Sequence, residues 1–116
     1  MRLCLFYGPG PTNPLGRIKF IFPNPDFVFL HDTPQKQFFE YERRDLSAGY
    51  IRVEHPFELA DHLLRLDGRV GEISLKQILA SGKTQRISFR NPVPIILTYR
   101  TAGVSANEMV FFLDDL

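Results

Sequence analysis

Two short stretches hold the residue types able to do chemistry. Leu30-His31-Asp32-Thr33 sets an imidazole beside a carboxylate and a hydroxyl. Leu46-Ser47-Ala48-Gly49-Tyr50-Ile51-Arg52-Val53 gathers a hydroxyl, a phenol and a guanidinium around a glycine. An imidazole titrates near neutrality, so His31 is suited to taking and returning a proton. A phenol titrates near ~10 and a free thiol near ~8.5, so Tyr50 supplies far less anion at neutral pH than a cysteine would. Its oxygen is also a poorer nucleophile toward an amide than a thiolate. Gly49 permits a close backbone approach, although a plain turn glycine fits the same position. A histidine at a strand end can equally be a packed or exposed residue.

Other candidate chemistries fail on spacing. Cys4 is the only cysteine, so no internal disulfide can form, and its apolar surroundings read as those of a small buried hydrophobe. His55 and His62 are seven apart with no third ligand at metal-site spacing, so helix-surface histidines are the reading and no zinc is expected. Gly8-Pro9-Gly10-Pro11 lacks the lysine and following helix of a phosphate-binding loop. Arg43 and Arg44 stand beside Glu40, Glu42 and Asp45, which reads as a solvated loop of mixed charge. A net charge of +1 gives no reason to expect nucleic acid or an anionic membrane.

The chain of 116 residues suits one domain with one core, and its 44% hydrophobic and 23% charged content argues against wholesale disorder. The apolar stretch at Met1–Tyr7 is shorter than a secretory h-region, and no small-residue cleavage site follows. No segment approaches the roughly 20 apolar residues of a membrane helix.

The elements that must position these groups follow from periodicity. Gly8–Pro14 is a turn-rich entry loop. Arg17–Phe22 alternates with Ile18, Phe20 and Phe22 on one face, and Phe27–Leu30 is apolar on both faces, so the two predict a hairpin that delivers His31 at a strand end. Phe38 and Phe39 are expected to dock their loop onto the core, and Ile51 and Val53 to form a short strand. Pro56 can open a helix whose stripe is Leu59, Leu63 and Leu66, widened by Ala60 and Leu64. Ser74 can cap a short second helix through Ala80, with Gly82 past its end. Thr84–Phe89 and Val93–Tyr99 predict strands, the second of buried type. Ala102–Asn107 predicts a turn and Met109–Phe112 a final strand.

The signature around Tyr50 resembles the S-x-G-C-[IV]-R-[VM] pattern of the YkuD-type L,D-transpeptidases, with Tyr50 where that family has its cysteine. The resemblance is broad. Pro9-Gly10-Pro11-Thr12-Asn13-Pro14-Leu15-Gly16-Arg17-Ile18-Lys19-Phe20 is similar to the P-G-P-x-N-x-L-G-R-x-K-F segment of the large periplasmic members, and Leu30-His31-Asp32-Thr33-Pro34 to their L-H-D-T-P. Ile51–Glu54 with Leu59-Ala60 and Leu63-Leu64 looks like the helix that follows the nucleophile. Pro92-Val93-Pro94, Leu97-Thr98-Tyr99 and Thr101-Ala102 look like the closing strands.

The resemblance implies a mostly β fold, an incomplete β-sandwich with one or two helices inserted. Residues 1–8 fall outside it, and 9–116 correspond to the later part of the catalytic domain. It implies His31 as the base, position 50 as the nucleophile site and the backbone around Gly49 as oxyanion donor. Ser47, Arg52 and Thr33 become supporting residues: Arg52 to hold the loop or a substrate carboxylate, with a plain ion pair as the alternative, and Thr33 to orient His31. Peptidoglycan stem peptides are the implied partners, no metal or organic cofactor is implied, and carbapenem-type inhibitors are implied only if the cysteine were restored. The family works in the periplasm or cell envelope. Three readings remain: an L,D-transpeptidase-like domain silenced by Tyr50, a non-catalytic peptidoglycan- or partner-binding module, and a decayed, truncated gene product. The last predicts that Phe27 and Phe29 lose partners and that an open sheet edge promotes self-association.

Overall fold

The computed structural model describes residues 2–5, 13–47, 49–69 and 71–112. The predicted entry loop lies largely outside these residues, as does Ala48 of the signature. So does the side chain of Cys4.

A five-stranded sheet carries the molecule. Its strands are β1 (Arg2–Leu5), β2 (Ile18–Ile21), β3 (Phe29–His31), β4 (Ile51–Arg52) and β5 (Gln85–Ser88), in the order β4-β3-β2-β1-β5. β2 and β3 form the predicted antiparallel hairpin, and His31 ends the second strand. β1 lies between β2 and β5, antiparallel to both, so the N-terminal segment joins the sheet directly. β3 and β4 run parallel, which requires the long crossover through residues 32–50.

Alternation sorts the strands into two faces. Ile18, Phe20 and Ile87 point to one face and are buried against the helices α1 (Pro56–Leu66) and α2 (Leu75–Ser81). Ala60, Leu63, Leu64 and Leu75 complete this core. The β-rich domain with two helices expected from the sequence is what the chain forms.

Local chemistry explains both helices. Pro56 sits in the first turn of α1, and Ser74 Oγ accepts the Gln77 N–H at the start of α2. Gly82 closes α2 in the left-handed conformation at φ 68°. The buried stripe of α1 is Pro56, Ala60, Leu63 and Leu64, while Leu66 is exposed. The predicted stripe was therefore rotated, because the next position on the core side is Asp67. Its Oδ1 accepts the Asn91 N–H at 2.6 Å and its Oδ2 the Arg90 N–H at 3.1 Å, so a carboxylate pins the helix end to the chain leaving β5.

Three further expectations are corrected. Phe27 is outside β3, in a turn at φ 55° and exposed to solvent, because Asn24 closes a tight loop through Val28. Val93–Tyr99 is not a strand: none of the described residues pairs with it in a ladder, and Ile96 is 83% exposed. Ala102–Val104, expected as a turn, is instead strand β6, paired with β7 (Val110–Phe112) in a separate two-stranded sheet. The approach of Phe111 over Gly103 makes that pairing possible, since a Cβ at Gly103 would lie 2.6 Å from the ring. The turn itself spans residues 105–108.

Burial raises the Asp67 pKa, but the N–H groups of Asn91 and Arg90 and the charges of Arg69 and Arg90 outweigh it, so the carboxyl titrates below its ordinary 3.8. A depressed carboxyl pKa adds stability that is present above the unfolded value and lost as pH falls through the folded one. Asp67→Asn should therefore be less stable at pH 7, and its thermal midpoint should change less than the parent's below about pH 4. Parallel melting curves across that range would refute this.

Candidate active site

The parallel register of β3 and β4 assembles the site. Leu30 is level with Ile51 and His31 with Arg52, and the Val53 N–H donates to the His31 carbonyl at 2.8 Å. Side chains of Phe29, His31, Tyr50 and Arg52 thus emerge on one face, opposite the helices. Residues 19 apart in sequence become neighbours. The Tyr50 ring stacks on Phe29 at 3.9 Å between centroids and meets His31 edge-on at 6.4 Å. His31 is 4% exposed beneath it, whereas Tyr50 is 43% exposed. The expected loss of partners at Phe29 does not occur, since Tyr50 and the Lys19 ammonium, 3.9 Å from its ring centre, both engage it.

The imidazole is fixed by its own chain. Nδ1 contacts the Asp32 carbonyl, which can only accept, so Nδ1 carries the proton and Nε2 keeps its lone pair. Thr33 Oγ1 accepts the Gln35 N–H at 3.1 Å, and the hydrogen bond of the imidazole runs to the Asp32 carbonyl. Burial, with the nearby positive charges of Arg52 and Lys19, lowers the His31 pKa despite the raising effect of Asp32. His31 is therefore neutral at physiological pH, the state a base requires.

Asp32 braces this strand end. Its Oδ2 accepts the Arg17 N–H at 3.0 Å, and its Oδ1 pairs with Lys36 Nζ at 2.9 Å. The same ammonium donates to the Glu54 carbonyl at 2.8 Å, bridging the ends of β3 and β4. Gly16 makes room: at φ 64°, a Cβ there would lie 2.3 Å from the Asp32 carboxylate. The brace was not singled out from sequence, although Gly16-Arg17 and His31-Asp32 both lie within the resembling motifs.

The loop before Tyr50 holds itself by hydrogen bonds to main chain. Ser47 Oγ accepts the Gly49 N–H at 3.1 Å while its hydroxyl donates to the Tyr50 carbonyl. The Gly49 N–H is thus engaged, not open as an oxyanion donor in this conformation. Gly49 itself is needed for its φ of 124°. Arg52 Nη1 donates to the Leu46 carbonyl at 2.6 Å and its guanidinium lies over Phe38, so it holds the loop and makes no ion pair among the described residues. Its Nε is buried without a hydrogen-bond partner.

A cavity of about 430 Å³ opens beside Tyr50, lined by Phe38, Phe39, Leu46, Ser47 and Arg52 among others. Phe38 and Phe39, expected on the core, line this cavity because the 3-10 turn Lys36–Glu40 swings them to the site. Among the described residues no three His, Cys, Asp or Glu converge as a metal site.

The family model of the YkuD L,D-transpeptidase catalytic domain matches residues 4–95, which takes in the end of β1, β2 to β5 and this cleft. The chain belongs to the YkuD family. A Haemophilus influenzae protein named "Putative L,D-transpeptidase" is 38% identical over 96 residues, 83% of this chain and 19% of that protein. The match spans less than a fifth of that relative's length. The family model begins at Cys4 in β1, ahead of Pro9, where the motif resemblance starts, and stops at Ile95. This YkuD-family domain thus places His31 at the end of β3 and presents Tyr50 next to it. L,D-transpeptidases are a cell-envelope family, and among the described residues no helix is long and apolar enough to cross a membrane.

The lowered His31 pKa has a defined consequence. Above about pH 6.5 both folded and unfolded chains hold this imidazole neutral, so it contributes nothing to pH dependence. As pH falls below that value the unfolded chain takes up a proton that the folded chain resists, and stability declines towards the folded pKa. His31 should show an NMR midpoint below 6.5, and Lys19→Gln should raise it by removing a facing positive charge. A midpoint at or above 6.5 in the parent would contradict the buried neutral imidazole.

Proposed function

We propose that this is a peptidoglycan-directed L,D-transpeptidase domain whose cleft keeps the base and the substrate-shaped frame but lacks the group that starts acyl transfer. The carrying observation is the position of Tyr50, stacked on Phe29 and edge-on to the buried His31. In the reaction that the family implies, a thiolate attacks the carbonyl of the L,D bond of a donor stem peptide. The terminal D-alanine then leaves, and an amine of a second stem accepts the acyl group. His31, neutral with Nε2 unprotonated, is poised as the proton acceptor for such a nucleophile.

A phenol fails this role on two counts. At neutral pH its anion is scarcer than a thiolate by roughly the difference between pKa ~10 and ~8.5. Its ring, edge-on to His31 at 6.4 Å between centroids, is also larger than a cysteine side chain and takes space beside the base that the reacting carbonyl would need. Both points support a domain that does not turn over its substrate.

The binding-module reading has its own support. The cavity beside Tyr50 is lined by aromatic and aliphatic side chains together with Arg44 and Arg52, whose guanidinium groups suit a carboxylate. Such a cleft can hold a stem peptide without cleaving it.

Intact mass after incubation with a carbapenem tests the leading reading. The parent chain should gain no adduct, whereas Tyr50→Cys should gain one equivalent, because the histidine and loop remain in place. An adduct on Tyr50 in the parent would overturn it. Titration with isolated muropeptide then separates a binding module from an empty frame. The exposed apolar side chains of β6 and β7, such as Val110 and Phe112, support self-association as well. A concentration-independent monomer in sedimentation would count against that.

A further inference from the structure

A second cavity lies in the helix layer, on the other side of the sheet from Tyr50. At about 570 Å³ it is larger than the cavity of the cleft. Three separate stretches of chain build it. α1 contributes Phe57 and Asp61, one turn apart on one face, and α2 contributes Leu75, Lys76 and Leu79. Ile73 lines it just ahead of α2, and Arg17 reaches it from the residue before β2.

Its walls offer two kinds of surface. Phe57, Ile73 and Leu79 are half-buried against the core to which Leu75 belongs, and they leave apolar surface to the cavity. Arg17, Asp61 and Lys76 are exposed, and among the described residues none of their charged groups is held in an ion pair or hydrogen bond. Arg17 gives its main-chain N–H to Asp32, so the backbone serves the brace while the guanidinium is left over. Neither cation closes an ion pair with Asp61, so opposite charges stand apart around one apolar wall. A carboxylic acid alone would meet the like charge of Asp61 there. An amine alone would meet those of Arg17 and Lys76.

We propose that this cavity binds a small zwitterion with an apolar body, of the kind that an apolar dipeptide with free ends provides. The carboxylate is taken by Arg17 and Lys76, the ammonium by Asp61, and the apolar side chains by Phe57, Ile73 and Leu79. Two extended residues span about 7 Å, so the ligand's own charges are set apart as those of the wall are. Concave sites of this size, mostly apolar with a few polar groups that fix orientation, are the usual form of small-molecule sites. The inference does not rest on acyl transfer and holds whether or not the domain turns over a substrate.

The test is isothermal titration calorimetry of the full chain with leucyl-leucine, with NMR shifts to place the ligand. Leucyl-leucine should bind at low salt. Blocking either end, as the N-acetyl or the amide derivative, should weaken it about fivefold, the worth of one exposed ion pair at its upper range. Glycyl-glycine, with the same charges and no apolar body, should not bind. Arg17→Gln and Lys76→Gln should each weaken leucyl-leucine, and Arg17→Gln keeps the N–H that Asp32 needs. Asp61→Asn should weaken leucyl-leucine and leave its N-acetyl derivative unaffected. Arg65→Gln, an exposed change on α1 away from the cavity, should alter nothing. Backbone shifts should gather at Phe57, Ile73 and Leu79. Absence of binding, equal affinity for the blocked peptides, equal binding of glycyl-glycine, equal loss in Arg65→Gln, or shifts confined to Ser47 and Tyr50 would each overturn the proposal.

Discussion

The carboxylate of Asp32 is the constraint on which the site depends. It lies at the end of β3, almost buried, and satisfies both oxygens with groups from other parts of the chain: the Arg17 N–H at the start of β2 and the Lys36 ammonium beyond the turn. A buried carboxylate without such partners would be strongly unfavourable, so these contacts are obligatory once the strand end is enclosed. Lys36 then reaches the carbonyl of Glu54, and this ties β4 to β3 from outside the sheet. One carboxylate thereby fixes the hairpin, the 3-10 turn and the parallel edge strand together. Gly16 belongs to the same arrangement, because only a residue without Cβ leaves room for the carboxylate.

From that brace the chemistry of the cleft follows by register. β4 has only two residues, far below the length at which a strand holds itself. It stays in place through its ladder to β3, the Val53 N–H on the His31 carbonyl and the Lys36 bridge. Because Ile51 is level with Leu30, residues 50 and 52 must share a face with residues 29 and 31. A slip of one residue would send Tyr50 to the helix side and leave His31 without its neighbour. Which residues neighbour His31 is therefore a property of strand register, not of the 19-residue interval.

This explains which features were legible in the sequence. The β2–β3 hairpin, the capped α2 and the proline-opened α1 are written in local periodicity and in single residues whose conformational preferences are strong. His31 at a strand end and the loop at Ser47–Val53 were readable for the same reason, aided by motif resemblance. Phe38 and Phe39 were misplaced because an apolar pair in a connector has the same composition whether it faces a core or a cleft. Leu66 was assigned inward because leucine outranks aspartate on any hydropathy scale. Asp67 takes the inward position through two backbone N–H groups that lie 23 and 24 residues away. Ala102–Val104 became a strand through its partner β7, which local pattern could not reveal. Hydrogen bonds between distant segments have no local signature.

Position 50 is decoupled from the frame that presents it. The contacts that shape the loop run to main chain: Ser47 to the Gly49 N–H and the Tyr50 carbonyl, and Arg52 to the Leu46 carbonyl. None of them involves the side chain at position 50. A frame held in this way keeps its shape whichever side chain position 50 carries, provided the new group finds space. Tyr50 finds it by lying flat on Phe29, where stacking offsets part of the cost of exposing a large ring. The result is a cleft in which His31, the loop and the brace form one structural unit that does not depend on the side chain at position 50. The architecture around position 50 therefore hangs on backbone hydrogen bonds and on the buried carboxylate of Asp32.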